Sequence, residues 1–136
     1  MLYVLIDTLK EEEKSLRKLL GLLDEQYKFI MANDVFKLED VVGKIKLCNK
    51  EVAEYEVKRR NSLNGYSMKD VILKSKNVEL ENKYRDIKKL LHEVILQKET
   101  NELLIKQQLS MTNRLLSIIN PNREVKTYNS IGGFKR

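Results

Sequence analysis

Cys48 and His92 are each the only residue of their type in this sequence, and both types serve in nucleophilic and metal chemistry. A thiol and an imidazole could act as nucleophile and general base. Cys48, however, falls in the apolar stripe of a helical pattern, whereas a reactive thiol needs an accessible, electropositive setting. A single histidine excludes the paired Glu-x-x-His ligands of di-iron bundles and any His-Glu-x-x-His zinc site. Gly132-Gly133 follows no strand pattern and opens no helix, so it does not form a phosphate loop. The carboxylates are scattered at i,i+4-type spacings, as in solvated helix pairs. The expectation is a protein that is not an enzyme, with no cofactor and no metal site, and function must be sought in its surfaces.

The elements that carry those surfaces read as helices. Leu2, Leu5, Leu9, Leu16, Leu20, Leu23, Tyr27 and Ile30 recur at three- and four-residue spacing and predict a first helix over 2–32. Glu11-Glu12-Glu13 interrupts this stripe, so that turn must fray, face water beyond its partner's end, or meet basic residues. Ala32-Asn33-Asp34 is a break whose Asn and Asp can supply an N-cap oxygen. A second helix follows from Val35 to about Leu63, with Leu38, Val41 or Val42, Ile45, Cys48, Val52, Tyr55 and Leu63 as its stripe and Asn64-Gly65 as its end. So short a turn makes the two helices antiparallel neighbours. Ser67-x-x-Asp70 has the form of a helix start and predicts a short third helix carrying Val71, Ile72 and Leu73.

The last helix, Val78 to Ile119, contains no proline or glycine and stops at Asn120-Pro121. At 1.5 Å per residue it is about 60 Å long. Its first half carries Leu80, Tyr84, Ile87, Leu90, Leu91, Val94 and Ile95 in an arc of about 140°, an ordinary core stripe. In its second half Leu104, Ile105, Leu109, Met111, Leu115, Leu116, Ile118 and Ile119 cover about 180°. Supercoil drift of ~20° per heptad moves a stripe without widening it. Leu104, Met111, Leu115 and Ile118 lie outside the earlier arc, and this surplus suggests a partner, an extra helix or a second copy of the chain.

Composition agrees with this reading. The chain has 136 residues, one proline and no tryptophan, and 34% of its residues are charged, as in helical bundles. The expected fold is all-α: an elongated antiparallel bundle or coiled coil of three long helices plus one short helix, forming one domain over 1–120, with a flexible basic tail over 121–136. Residues 1–64 carry twelve acids and twelve bases, and residues 65–136 eight acids and fourteen bases, so the net charge of +6 belongs to the C-terminal half. Because the helical cations are interleaved with Glu and Asp, a solvated face is preferred to a nucleic-acid stripe. A lone cysteine allows no intramolecular disulfide. The opening MLYVLIDT meets Asp7 too soon for a signal peptide or a membrane span, so a soluble, cytoplasmic protein without membrane insertion is expected.

Two long helices joined at an Ala-Asn-Asp turn, a short helix, a long helix containing ETNELLIKQQLSMTNRLLSIIN and a tail with TYNSIGG resemble the flagellar export chaperones of the FlgN type. The resemblance runs from the first helix to Gly133. Its most specific parts are Asn101 to Leu104 leading into Gln107, Leu109, Asn113, Arg114, Leu115 and Leu116, then Tyr128-Asn129 and the glycines. It implies a cytoplasmic chaperone of the hook-filament junction proteins, FlgK and FlgL. Such a chaperone binds the C-terminal helical segment of its unassembled cargo, prevents premature association and delivers the cargo to the cytoplasmic domain of the export gate. It places cargo binding in the C-terminal part, in agreement with the surplus at Leu104, Met111, Leu115 and Ile118, and it makes Tyr128 the residue expected to dock on the gate.

Burying those four side chains yields roughly 10 kcal/mol gross against an association cost of ~4–15, so neighbouring residues must contribute to a useful affinity. Ile105, Leu109, Leu116, Ile119 or apolar residues of the short third helix could repack around an inserted helix. Asn101, Gln108 and Asn113 could fix register by hydrogen bonds; Gln108 lies in the middle of the apolar arc, whereas Asn113 also fits a plain polar surface. Two other readings compete: a self-associating coiled coil in which the surplus is a homodimer seam, and a basic helical protein binding nucleic acid or membrane.

Overall fold

The computed structural model describes residues 2–120, 127–128 and 134–135, with side chains described through Asn120. Four helices follow one another: α1 (Leu2–Met31), α2 (Val35–Ser62), α3 (Met68–Ser75) and α4 (Val78–Ile119). The fold is an all-α bundle. Beyond α4, the backbone of β1 (Thr127–Tyr128) pairs antiparallel with that of β2 (Phe134–Lys135), the only strands among the described residues. The rest of the expected flexible tail lies outside the described residues.

Local chemistry fixes the helix ends. Asp34 caps α2, its side chain accepting from the Lys37 amide at 3.1 Å. Ser67 caps α3 by accepting from the Asp70 amide at 3.1 Å, and Asn77 Oδ1 accepts from the Leu80 amide at 3.1 Å at the start of α4. Each satisfies an amide that the helix itself leaves without a partner. Asn33, Asn64 and Lys76 take up the left-handed backbone that turns the chain, with φ of 54°, 50° and 52°. Gly65, at φ 86°, follows Asn64 rather than capping α2 directly, because Leu63 still has a right-handed backbone.

The chain divides into two compact units, Met1–Lys98 and Glu99–Arg136. In the first, the core is built chiefly on α1: Leu5, Leu9, Leu16, Leu19 and Leu23 pack with Cys48 of α2. Leu63, Met68 of α3, and Leu80, Ile87, Leu90 and Val94 of α4 complete it. Lys10 pairs with Glu79 and Glu13 with Lys83, whereas Glu12 pairs with Arg59 and Lys18 with Glu51. These pairings run α4 parallel and α2 antiparallel to α1.

The acidic turn of α1 meets bases. Glu12 is 4% exposed and accepts from Arg59 Nε at 3.0 Å. Glu13 accepts from Arg17 at 2.9 Å and from Lys83 at 3.1 Å. Among the described residues no buried side-chain polar atom lacks a partner.

Three residues expected in core stripes lie nearer the surface. Tyr27 is 39% exposed, Leu91 43% and Ile95 44%. On α4 the buried positions fall within about 80° on one side of Leu80, and Leu91 and Ile95 fall about 20–60° to the other side. They form the edge of the stripe, where neighbouring helices no longer cover it.

Candidate functional site

The sequence singled out the C-terminal part of α4, and its exposure pattern separates two rows. Ile105, Leu109 and Leu116 are half-buried. Beside them Met111 is 66% exposed, Leu115 55% and Ile118 76%. With Leu104 and Gln108, both half-buried, these three positions follow the spacing i, i+4, i+7, i+11, i+14. On an α-helix that spacing confines them to about 80° over some 20 Å of length, the footprint of a second helix laid alongside. Ile119, 78% exposed, widens the row at its end.

Exposure alone would not mark this as a site. Phe36, Tyr3 and Leu47 are 86%, 84% and 68% exposed, and single exposed apolar residues are common on folded proteins. The distinguishing feature of α4 is alignment, with three exposed large apolar groups and two half-buried positions in one helical row. Leu103, 56% exposed, lies off this row; periodicity gave no reason to choose it.

The polar positions divide differently. Asn101, expected to help fix cargo register, is 1% exposed and so is enclosed by the chain itself. An amide that stays inside a helical protein must be hydrogen-bonded, and Asn101 does have an interaction partner within the chain. Gln108 and Asn113 are half-buried and likewise have partners. The side chain of Tyr128 lies outside the described residues; its backbone pairs with Phe134.

Cys48 is 1% exposed, donates from Sγ to the Ser15 carbonyl at 3.4 Å, and has its thiol pKa pushed up by burial. This is the opposite of what activates a thiolate. His92 is exposed on α4. No cluster of His, Cys, Asp or Glu among the described residues could hold a metal ion. None of the described helices is long and apolar enough to cross a membrane.

A family model described as FlgN protein matches residues 1–135. No curated protein and no solved structure matches the chain.

Proposed function

From the premise that this chain belongs to the FlgN family of flagellar export chaperones, we propose that it binds the C-terminal helical segment of a hook-filament junction protein of the FlgK or FlgL type. By covering that segment in the cytoplasm it keeps the cargo unassembled until delivery to the export gate. The cargo lies along Leu104, Gln108, Met111, Leu115 and Ile118, with Ile119 at the end of the row. Asn101 supports the helix from within rather than touching the cargo. Tyr128 serves in docking to the gate.

The observation that carries this reading is the aligned, exposed row on α4, Met111, Leu115 and Ile118. A junction-protein segment that is itself an amphipathic helix would cover it as a helix in a groove, and burial of apolar area would supply the affinity. Recognition of that kind is little weakened by salt, unlike phosphate binding.

The test is calorimetric titration of the full chain with the C-terminal segment of a FlgK-type protein at low and high salt. One-to-one binding at micromolar affinity or tighter that survives salt is the expected result. Absence of a complex, together with concentration-dependent mass of the chain alone, would assign the row to a homodimer seam instead.

A further inference from the structure

A second surface lies well before the cargo row, where α3 and the start of α4 enclose an open groove of about 380 Å³. Its floor is apolar: Ile72 and Leu73 from α3, and the Tyr84 ring from α4. Leu73 is 72% exposed, although Val71 and Ile72 of the same short helix pack against the core. The rim is basic, with Lys69 on one helix and Arg85 and Lys88 on the other, against the single carboxylate of Glu81.

Spacing explains why both helices present a continuous face here. Lys69, Ile72 and Leu73 stand at i, i+3, i+4, and Glu81, Tyr84, Arg85 and Lys88 at i, i+3, i+4, i+7, so each set shares one side of its helix. The charge on the rim is largely uncommitted. Arg85 reaches Glu81 at only 3.4 Å through side chains 70% and 54% exposed, a pair that solvent screens strongly. Lys88 lies 4.8 Å from the centre of the Tyr84 ring. Among the described residues neither Lys69 nor Lys88 has a carboxylate within ion-pair distance. An apolar floor between Lys69 and Lys88, neither of them paired with a carboxylate among the described residues, complements a segment that carries an apolar anchor flanked by carboxylates.

We infer that the α3–α4 groove docks an acidic amphipathic peptide segment of a partner protein, with an aliphatic or aromatic anchor against Leu73 and Tyr84 and carboxylates against Lys69 and Lys88. The site uses residues 69–88 and none of the α4 positions assigned to cargo, so it stands whether or not the cargo reading does. Its occupant is recognised by charge as well as by shape, and its affinity falls as salt rises.

The experiment is fluorescence anisotropy of the full chain with a labelled synthetic helical peptide of about 18 residues, five turns long. The probe has leucines on one face and glutamates flanking them. The controls are a peptide with lysine in place of each glutamate, one with alanine in place of each leucine, and a single-stranded oligonucleotide. Only the acidic, leucine-bearing peptide is expected to bind well. Leu73→Ala, at an exposed position, weakens it about tenfold, and the Lys69→Glu/Lys88→Glu pair removes binding while circular dichroism stays unchanged. Leu115→Glu leaves it intact. Failure of the acidic peptide to bind overturns the inference. So does equal binding of the acidic and basic peptides, preferential binding of the oligonucleotide, or loss of binding in Leu115→Glu but not in Leu73→Ala.

Discussion

Arg59 Nε donates to Glu12 Oε2 across 3.0 Å, joining positions 47 residues apart on two antiparallel helices. The adjacent carboxylate, Glu13, is held by Arg17 and Lys83. Both interrupt the apolar stripe of α1, yet they titrate in opposite senses. Glu12 has its pKa raised above the ordinary 4.5 because the cost of burial outweighs the attraction of Arg59. Glu13 is lowered, chiefly by its hydrogen bond from Arg17, with Lys83 adding to the effect.

The signs give distinct consequences for neighbouring residues. Glu13 contributes stability that is fully present above 4.5 and is lost as pH falls through its depressed value. Glu12 favours its neutral form in the folded protein, so its share of stability rises as pH falls from its raised value toward 4.5. Glu12→Gln should therefore lower the urea midpoint at pH 7 by less than Glu13→Gln does, since burial already disfavours the charged form of Glu12 while Arg59 still loses its counter-charge. Glu13→Gln should cost about 1–2 kcal/mol at pH 7 and flatten the acid limb of the stability curve. Urea melts of both variants at pH 7 and pH 4 decide this, and equal losses for the two would refute it.

Gly21 and Gly43 lie inside α1 and α2, where an added Cβ meets nothing within 4 Å. Each costs helix stability without providing a turn or a close approach. Gly21→Ala and Gly43→Ala should each gain about 0.5–1 kcal/mol, raising the melting temperature by roughly 2–4 °C per substitution. Differential scanning calorimetry of the single and double variants would show near-additive gains, since the sites share no partner.

Along α4, Leu115→Glu and Met111→Glu change exposed side chains and should remove cargo binding while helicity and melting temperature stay close to those of the parent. Leu104→Glu changes a half-buried side chain in the same row and should lower both affinity and melting temperature. Circular dichroism alongside the calorimetric titration separates the two effects. Unfolding of the Leu115 variant would place that residue in the core after all.

Cys48, enclosed and bonded to the Ser15 carbonyl, should resist thiol reagents in the native protein and react fully in denaturant. Because burial raises its pKa, moving from pH 7 to pH 8.5 should give little native labelling. Mass spectrometry of timed labelling reactions is the readout. Rapid native labelling would mean that α1 and α2 separate locally on that timescale.

The helix boundaries were legible in the sequence because they rest on local chemistry: Asp34 and Ser67 cap the helices they precede, and α4 runs from Val78 to Ile119 as its unbroken pattern predicts. The acidic turn of α1 could be read only as three alternatives, since its outcome depends on Arg59 and Lys83 arriving from elsewhere in the chain. Leu91 and Ile95 satisfied periodicity but sit at the edge of the stripe, a matter of which helices lie alongside. The burial of Asn101 was not legible, because a one-dimensional pattern cannot tell an amide enclosed by the fold from one facing water. The α3–α4 groove was invisible for the same reason, since neither helix carries it alone.

The last turn of α4 contains no basic residue, and Asn120-Pro121 follows it in the sequence. No side chain of that turn therefore sets a positive charge beside its final carbonyls, and among the described residues the Asn120 amide donates to one of these carbonyls, on Leu116 at 2.8 Å. Where a helix end frays, it winds and unwinds on a timescale of about 0.1–1 μs, much faster than a stable complex forms or dissolves. If the proposed cargo docks on this row and the terminus frays, it would engage Leu104 to Leu115 first and recruit Ile118 and Ile119 as the terminus rewinds. Unloading in the reverse order would let the complex peel open from one end, lowering the barrier to handing over a tightly held segment.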